Sequence, residues 1–337
     1  MKVSDRRVAW EAYNVRPLLK GFAVVYMQES LLRYRQNLPL DIKVKMTERR
    51  IADWYNYFGG EVYLSFSGGK DSTVLLHIAR RIGLDIPVVF LDTWMEFPQV
   101  RQFVKEHENT ITIKPDKSLK QIIDDDGWCF PSKDVAEMID GVRRDKKWAI
   151  KKINGLDKNG NKSEFRQQYK KWKILVDAPI KISHRCCLDM KEIPVAKYEK
   201  ETGNKPILAL MAEESQRRKE SYLRTGCNGF NSQRPVSKPM GFWTGQDVLN
   251  YIKMNNIKIA ELYGKIIPCD GHKKLLKTNC KLCCSGMSRT GCMFCPVGLH
   301  LNKDRLKLVK HFNSKLYDYI MEELNMKQLV DFINNNF

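Results

Sequence analysis

The chain predicts an α/β fold, a parallel doubly wound sheet that carries a cysteine-rich, metal-binding C-terminal appendage. Three observations predict it. Short apolar runs at 62–66, 86–91, 110–114 and 206–211 alternate with helical patterns. Strands that are apolar throughout and separated by helices are buried on both faces of a parallel sheet. The run Ser65-Phe66-Ser67-Gly68-Gly69-Lys70-Asp71-Ser72 joins the first strand to the helix after it. Seven of the ten cysteines fall in two places, at Cys186-Cys187 and between Cys280 and Cys295.

Taken in order, residues 1–58 read as a helical N-terminal extension, with Ile51, Trp54, Tyr55 and Phe58 at amphipathic spacing. The stretch Met1 to Arg16 is polar and lacks the apolar core of a signal peptide. No apolar run reaches the ~20 residues of a membrane span. A cytoplasmic location is therefore expected, where cysteines are not expected to form disulfides. Residues 59–220 read as the nucleotide-binding domain, with helices at about 72–82, 97–106 and 190–202 between the strands. Residues 221–337 read as a separate C-terminal region. Thr244-Gly245-Gln246-Asp247 has the pattern of a capping box opening a helix. Residues 264–300 are irregular and too poor in aliphatic side chains for a core of their own, so they call for a metal staple. Helices at about 303–323 and 326–335 follow.

The Ser65–Ser72 run has the parts of a phosphate site. Its glycines let backbone N–H groups approach phosphate oxygens, and the helix start adds partial positive charge. Lys70 supplies a full charge, and Ser67 and Ser72 supply hydroxyls. The spacing is not that of a Walker-type loop. In an open parallel sheet, ligands bind beyond the carboxyl ends of the strands. This loop and Asp92-Thr93 both stand at such ends.

The formal net charge is +19, which favours a polyanionic partner. The charge is concentrated in an insertion at about 142–173, where twelve lysines and arginines face three acids, a net of +9. Trp148, Phe165, Tyr169 and Trp172 are interleaved with them. Cations alternating with stackable rings suit a nucleic-acid strand. The bland alternative is a solvated helical hairpin with its aromatics in the core.

Several motifs together resemble the phosphoadenylylsulfate reductase family of the PP-loop ATP pyrophosphatase superfamily. They are the loop itself; Asp92-Thr93-Trp94-Met95-Glu96-Phe97-Pro98, where Trp94 stands at a family glycine; and Cys186-Cys187 with Lys191 and Pro194. They continue with Glu214-Ser215 through Arg218, Lys238-Pro239 through Tyr251-Ile252, and Gly291-Cys292-Met293-Phe294-Cys295. The resemblance spans about 60 to 300. It implies an adenine nucleotide alpha hydrolase-like fold and ATP with Mg²⁺ at Ser65, Ser67, Gly68, Gly69, Lys70, Asp71 and Ser72. Asp92, Thr93 and Arg218 are implied as further nucleotide contacts, and Trp94 as a residue that reshapes the adenosine pocket. Lys114 and Lys133 lie where the family places substrate-facing loops.

Two departures steer the expected activity. The loop is intact, whereas reductases acting on preformed adenylyl sulfates tend to have a degraded one. No cysteine follows Cys295, whereas those reductases carry a nucleophilic cysteine in a C-terminal tail. The nearest resemblance in kind is to the DNA phosphorothioation and tRNA thiolation sulfurtransferases, with DNA or tRNA as acceptor and a donor such as a cysteine desulfurase. An adenylyl-sulfate reductase is the second reading, and a non-catalytic nucleotide-sensing subunit the third.

The cysteines admit two ligand sets. Cys186, Cys187, Cys292 and Cys295 resemble the [4Fe–4S] pattern of assimilatory reductases. Cys280, Cys283, Cys292 and Cys295 have zinc-ribbon spacing, which would free Cys186 or Cys187 to carry sulfur as a thiolate. Cys284 is a substitute ligand in either set, and spacing alone does not decide between them. Lys70, Asp71 and Cys187 are the catalytic candidates. Cys129, Cys227 and Cys269 read as isolated, and His184 as an exposed neighbour of the cysteine pair.

Overall fold

The computed structural model describes residues 27–269, 280–301 and 304–337. Met1 to Arg16, and the 270–279 part of the cysteine-rich stretch, lie outside the described residues.

The expected α/β alternation is present. Six strands form one sheet in the order β3-β2-β1-β4-β6-β5. They are β1 (Val62–Ser65), β2 (Val88–Leu91), β3 (Thr110–Ile113), β4 (Lys205–Ile207), β5 (Asn228–Gly229) and β6 (Val236–Ser237). Strand β1 pairs in parallel with β2 and β4, and β4 with β6; β5 runs antiparallel against β6. The β1 side chains Val62, Tyr63 and Leu64 are buried, as a strand covered on both faces requires. Strand β4 is shorter than the apolar run that predicted it. Leu208 still bonds Ser237, but Leu210 N–H turns back to the Leu208 carbonyl, and the chain leaves the sheet for a 3₁₀ turn at Ala212–Glu214.

Contacts divide the chain into two compact units whose segments interleave. Of the described residues, the first holds 27–90, 102–111, 203–269 and 280–289; the second holds 91–101, 112–202, 290–301 and 304–337. In the first unit, the helix Leu40–Tyr57 buries Val44, Ile51 and Trp54. Trp243, fully buried, donates its indole N–H to Thr47 Oγ1 at 2.9 Å. Lys43 is buried beside it and is satisfied twice, by Asp247 Oδ2 at 2.6 Å and by the Gln36 carbonyl at 2.6 Å. The helix Gly245–Met254 opens with the expected capping box, in which Thr244 and Asp247 exchange hydrogen bonds.

The second unit is mainly helical. Its core includes Ile122, Phe130, Met138, Ile139, Leu175 and Ile182. Helices run over Leu119–Asp126, Lys133–Arg143 and Lys147–Ile153, followed by a long 3₁₀ segment at Glu164–Leu175. The helix expected at 303–323 is two helices, Asp304–Phe312 and Ser314–Glu322. Asn313 divides them, its side chain accepting the Leu316 N–H at 3.0 Å and so capping the second helix. Among the described residues no helix is long and apolar enough to cross a membrane.

Candidate functional site

The phosphate loop lies in the first unit between β1 and the helix Lys70–Arg81. Gly68 sits at φ +67°, a left-handed turn that glycine adopts without steric cost. The serines brace the turn. Ser72 Oγ donates to the Gly69 carbonyl at 2.9 Å and lies 3.1 Å from Ser67 Oγ, which also accepts the Gly69 N–H at 3.3 Å. Gly69, the N-cap, has no side chain to occupy the first-turn amides. The Lys70 N–H points to Tyr263 Oη at 3.3 Å, and Lys70 Nζ stands 5.8 Å from the Tyr263 ring centre and 3.4 Å from Asp71 Oδ1. Tyr263 is held by a small hairpin of β7 (Ile266–Pro268) and β8 (Leu282–Cys284), because Gly286 N–H bonds the Tyr263 carbonyl at 3.0 Å. The sequence pattern gave no sign of Tyr263.

Arg218, expected to meet a nucleotide phosphate, is ion-paired with Glu214. Burial, and then the like charge of Arg289, lower its pKa; Asp71 acts the other way. Cys284, read as a spare metal ligand, instead lies close enough to feel Lys70 and Asp71. Burial is the main cause of its raised pKa, with Asp71 adding to the rise and Lys70 opposing it.

The second unit gathers five thiols. Gly127 ends the helix Leu119–Asp126 at φ +82°, and a Cβ there would lie 2.3 Å from the backbone carbonyl carbon of Lys181. That close approach lets Trp128 N–H bond the Lys181 carbonyl and Ser183 N–H bond the Trp128 carbonyl, laying Cys129 beside the segment that leads to Cys186-Cys187. That pair opens a helix whose next turn, Leu188–Glu192, is π-helical. Such single widened turns are frequent at functional sites. The segment of Cys292 and Cys295 is tied by Met293 N–H to the Met95 carbonyl.

Cys129 hydrogen-bonds Cys187, so Cys129 is not isolated as its sequence position had implied. That bond is the main reason the Cys187 pKa is lowered and the Cys129 pKa raised, with burial adding to the rise. Lys191 and Lys133 further favour the Cys187 thiolate. Cys186 is pushed up, first by burial and then by Cys187, Cys292 and Cys295. Lys191 is the residue the sequence reading underweighted. Burial disfavours its charge, but a hydrogen bond and charge attraction to Cys292, with Glu96 and Cys187, outweigh that and raise its pKa. Its only sequence signal was the resemblance. His184 is half-buried rather than exposed, and its Nδ1 is enclosed without a partner. Cys269, the other cysteine read as isolated, hydrogen-bonds Cys280 in the first unit.

Among the described residues no three Cys, His, Asp or Glu side chains close around one point as ligands of a metal ion. The second-unit set offers thiols alone as donors, a chemistry shared by zinc and iron–sulfur sites. Of the zinc-ribbon set, Cys280 and Cys283 belong to the first unit, and Cys292 and Cys295 to the second.

The loop after β2 is pinned from within. Asp92 accepts the Trp94 N–H at 3.1 Å and holds Arg101 at 2.8 Å, while Glu96 accepts from the Thr93 N–H and hydroxyl. Trp94 adopts φ +63°, a strain of about 1–3 kcal/mol for a bulky residue.

The basic insertion is partly spent on structure. Arg143 donates to the carbonyls of Leu175, Ile180, Val176 and Ala178 at 2.7–3.0 Å. Its burial lowers its pKa, against the pull of Asp140 and Asp177. Lys152 pairs with Asp134, to which Tyr169 also donates. Trp172 is 7% exposed and packs with Phe130, His300 and Phe337. Of the four interleaved rings, Phe165 at 86% and Trp148 at 47% exposure face solvent.

Residues 61–298 match the phosphoadenosine phosphosulfate reductase domain. The chain belongs to that family. An uncharacterized protein of Methanocaldococcus jannaschii is 25% identical over 247 residues, covering 72% of this chain and 43% of the archaeal protein. The chain thus spans less than half the length of that relative. The phosphoadenosine 5′-phosphosulfate reductase of Serratia proteamaculans is 39% identical over 59 residues, 18% of this chain and 24% of that enzyme. The crystal structure of phosphoadenylyl-sulfate reductase from Candida auris, a phosphate complex, superposes on 71% of this chain and 88% of its own, with a TM-score of 0.39 and 15% identity.

Proposed function

We propose that this phosphoadenosine phosphosulfate reductase family member is an ATP-dependent sulfurtransferase that adenylates an acceptor, releases pyrophosphate and delivers sulfur to nucleic acid. The complete phosphate loop carries the reading. Gly68 opens the turn, the serines brace it, and Lys70 is placed by Tyr263 and Asp71. An enzyme acting on a preformed adenylyl sulfate has no pyrophosphate to hold. Here ATP, with Mg²⁺, is bound on Ser65 and Ser67–Ser72, with Asp92, Thr93 and Arg218 as the further nucleotide contacts. The acceptor oxygen attacks the α-phosphorus and the bond to pyrophosphate breaks. Lys70 and the loop amides neutralise the departing charge, a positioning and electrostatic role. A persulfide sulfur carried on the thiol set then attacks the activated centre and displaces the oxygen with AMP, and an external dithiol reductant cleaves the remaining S–S bond, freeing the thiolated product and the carrier thiol. A persulfide donor of the cysteine desulfurase class restores that sulfur.

Cys186, Cys187, Cys292 and Cys295 are the residues that would hold a [4Fe–4S] cluster in the second unit, with Lys191 offsetting thiolate charge. When bound, the cluster would supply a centre that binds and activates the sulfur to be transferred. Cys129 adds a thiol outside that set.

The test uses anaerobically purified protein, α-labelled ATP and either DNA or tRNA. Strand-dependent formation of AMP and pyrophosphate supports the reading. The contact between Lys191 and Cys292, beside the motif the reductases share, favours adenylyl-sulfate reduction as the second reading. Sulfite release from adenylyl sulfate, with no ATP consumed, would establish that one instead.

A further inference from the structure

Trp94 combines three properties that folding alone does not account for. Its φ of +63° is a conformation glycine takes freely. Its ring is 60% exposed. Its loop is already closed by Asp92 and Glu96 without the ring's help. Two cations also flank the ring. The Arg101 guanidinium lies 4.0 Å from the ring centre, anchored there by Asp92, and Lys114 Nζ lies 5.7 Å away. Lys114 is exposed and has no carboxylate partner among the described residues. An open aromatic face with a guanidinium fixed on it and a second ammonium at its side complements one ligand chemistry, a flat base joined to a phosphate.

We propose that Trp94, Arg101 and Lys114 form a platform on which one unpaired base of the acceptor strand stacks, with its adjoining phosphate on Lys114. The proposal rests on the nucleic-acid reading above and adds the residue that grips the strand next to the thiol-bearing unit's own loop. A base in single-stranded nucleic acid is presented on one face and needs only one face to stack on. Duplex bases, stacked on both sides, cannot use it.

The experiment measures binding of fluorescein-labelled single strands, duplexes and abasic strands of equal length by anisotropy, with ATP binding by calorimetry and thermal melting alongside. Trp94→Gly places glycine at a glycine-favouring φ, so melting should stay level or rise. Single-strand affinity should fall roughly 5- to 100-fold, with duplex and ATP binding unchanged. Trp94→Phe should keep most of the single-strand affinity. The unaltered protein should bind abasic strands as weakly as Trp94→Gly binds normal ones. Equal single-strand affinity in parent and Trp94→Gly overturns the platform while leaving the nucleic-acid reading intact. Loss of ATP affinity in Trp94→Gly at unchanged melting assigns the ring to the nucleotide and also overturns it. Failure of the unaltered protein to bind any strand overturns both.

Discussion

Arg143→Gln should open the end of the basic insertion without altering the nucleic-acid binding proposed for it. The Arg143 guanidinium donates to four carbonyls, those of Leu175 at 2.7 Å, Ile180 at 2.8 Å, and Val176 and Ala178 at 3.0 Å. The Leu175 and Ile180 bonds are partly buried and the other two are exposed. A charged donor is worth about 1.5 kcal/mol per partly buried bond and a few tenths per exposed one, so the loss is about 3 kcal/mol. Released locally, that raises the open population of residues 164–180 roughly 100-fold. Hydrogen exchange followed by mass spectrometry should show those amides exchanging faster by that factor. Arg143→Lys should fail in the same way, since an ammonium cannot fork across four carbonyls. The salt dependence of nucleic-acid binding should not change, because these N–H groups are already committed. An exchange change under about threefold, or a flattening of the salt slope by the ~0.7–0.9 that one phosphate contact contributes, would refute the clamp.

Reversing Lys170, Lys171 and Lys173 to Glu should do the opposite, weakening strand binding and flattening the log affinity–log salt slope while leaving exchange at 164–180 near normal; an unchanged slope would make that face merely solvated. Lys70→Ala should weaken ATP binding by about 2 kcal/mol or more, the scale of a lost charge-assisted phosphate contact, and equal calorimetric affinities would contradict the phosphate loop. Cys292→Ser or Cys295→Ser should strip iron and sulfide from anaerobically purified protein, whereas one retained zinc and no iron in the parent would move the assignment to the zinc-ribbon set. Lys43→Met should cost about 3 kcal/mol by stranding Asp247 beside a buried gap, read as a lower melting temperature that Lys43→Met with Asp247→Asn partly restores; a melting point equal to the parent's would show the pair to be idle.

The fold was legible because the signals that make it are local. Val62–Ser65 and Val88–Leu91 read as buried strands from their unbroken apolar runs, and Thr244 and Asp247 announced a helix start three residues apart. The strand–turn–helix geometry of Ser65–Ser72 was legible for the same reason, since its glycines, lysine and serines are contiguous. What stayed hidden depended on contacts distant in sequence. Tyr263 reaches Lys70 across almost two hundred positions, and its own segment carries no motif. Cys129 looked solitary because its partner, Cys187, comes within reach only through the backbone approach that Gly127 permits at Lys181. The insertion misled in part because composition counts a cation without asking what it already holds. Arg143 and Lys152 add to the +9, and Tyr169 and Trp172 to its rings, while carbonyls, Asp134 and packing occupy all four.

The interleaving of the two units has a consequence for how the protein is made. Cys186 and Cys187 leave the ribosome about a hundred residues before Cys292 and Cys295, an interval of roughly 5–20 s at ordinary synthesis rates, and Cys129 leaves earlier still. Through that interval the nascent second unit carries a Cys129–Cys187 pair in an unfinished fold, without the cysteines contributed by its last segment. The five thiols of this unit are therefore all present only once Cys295 has been synthesised. Oxidant present during translation would meet the early pair before the set is complete, so culture aeration can alter the yield of intact thiols before any purification step begins.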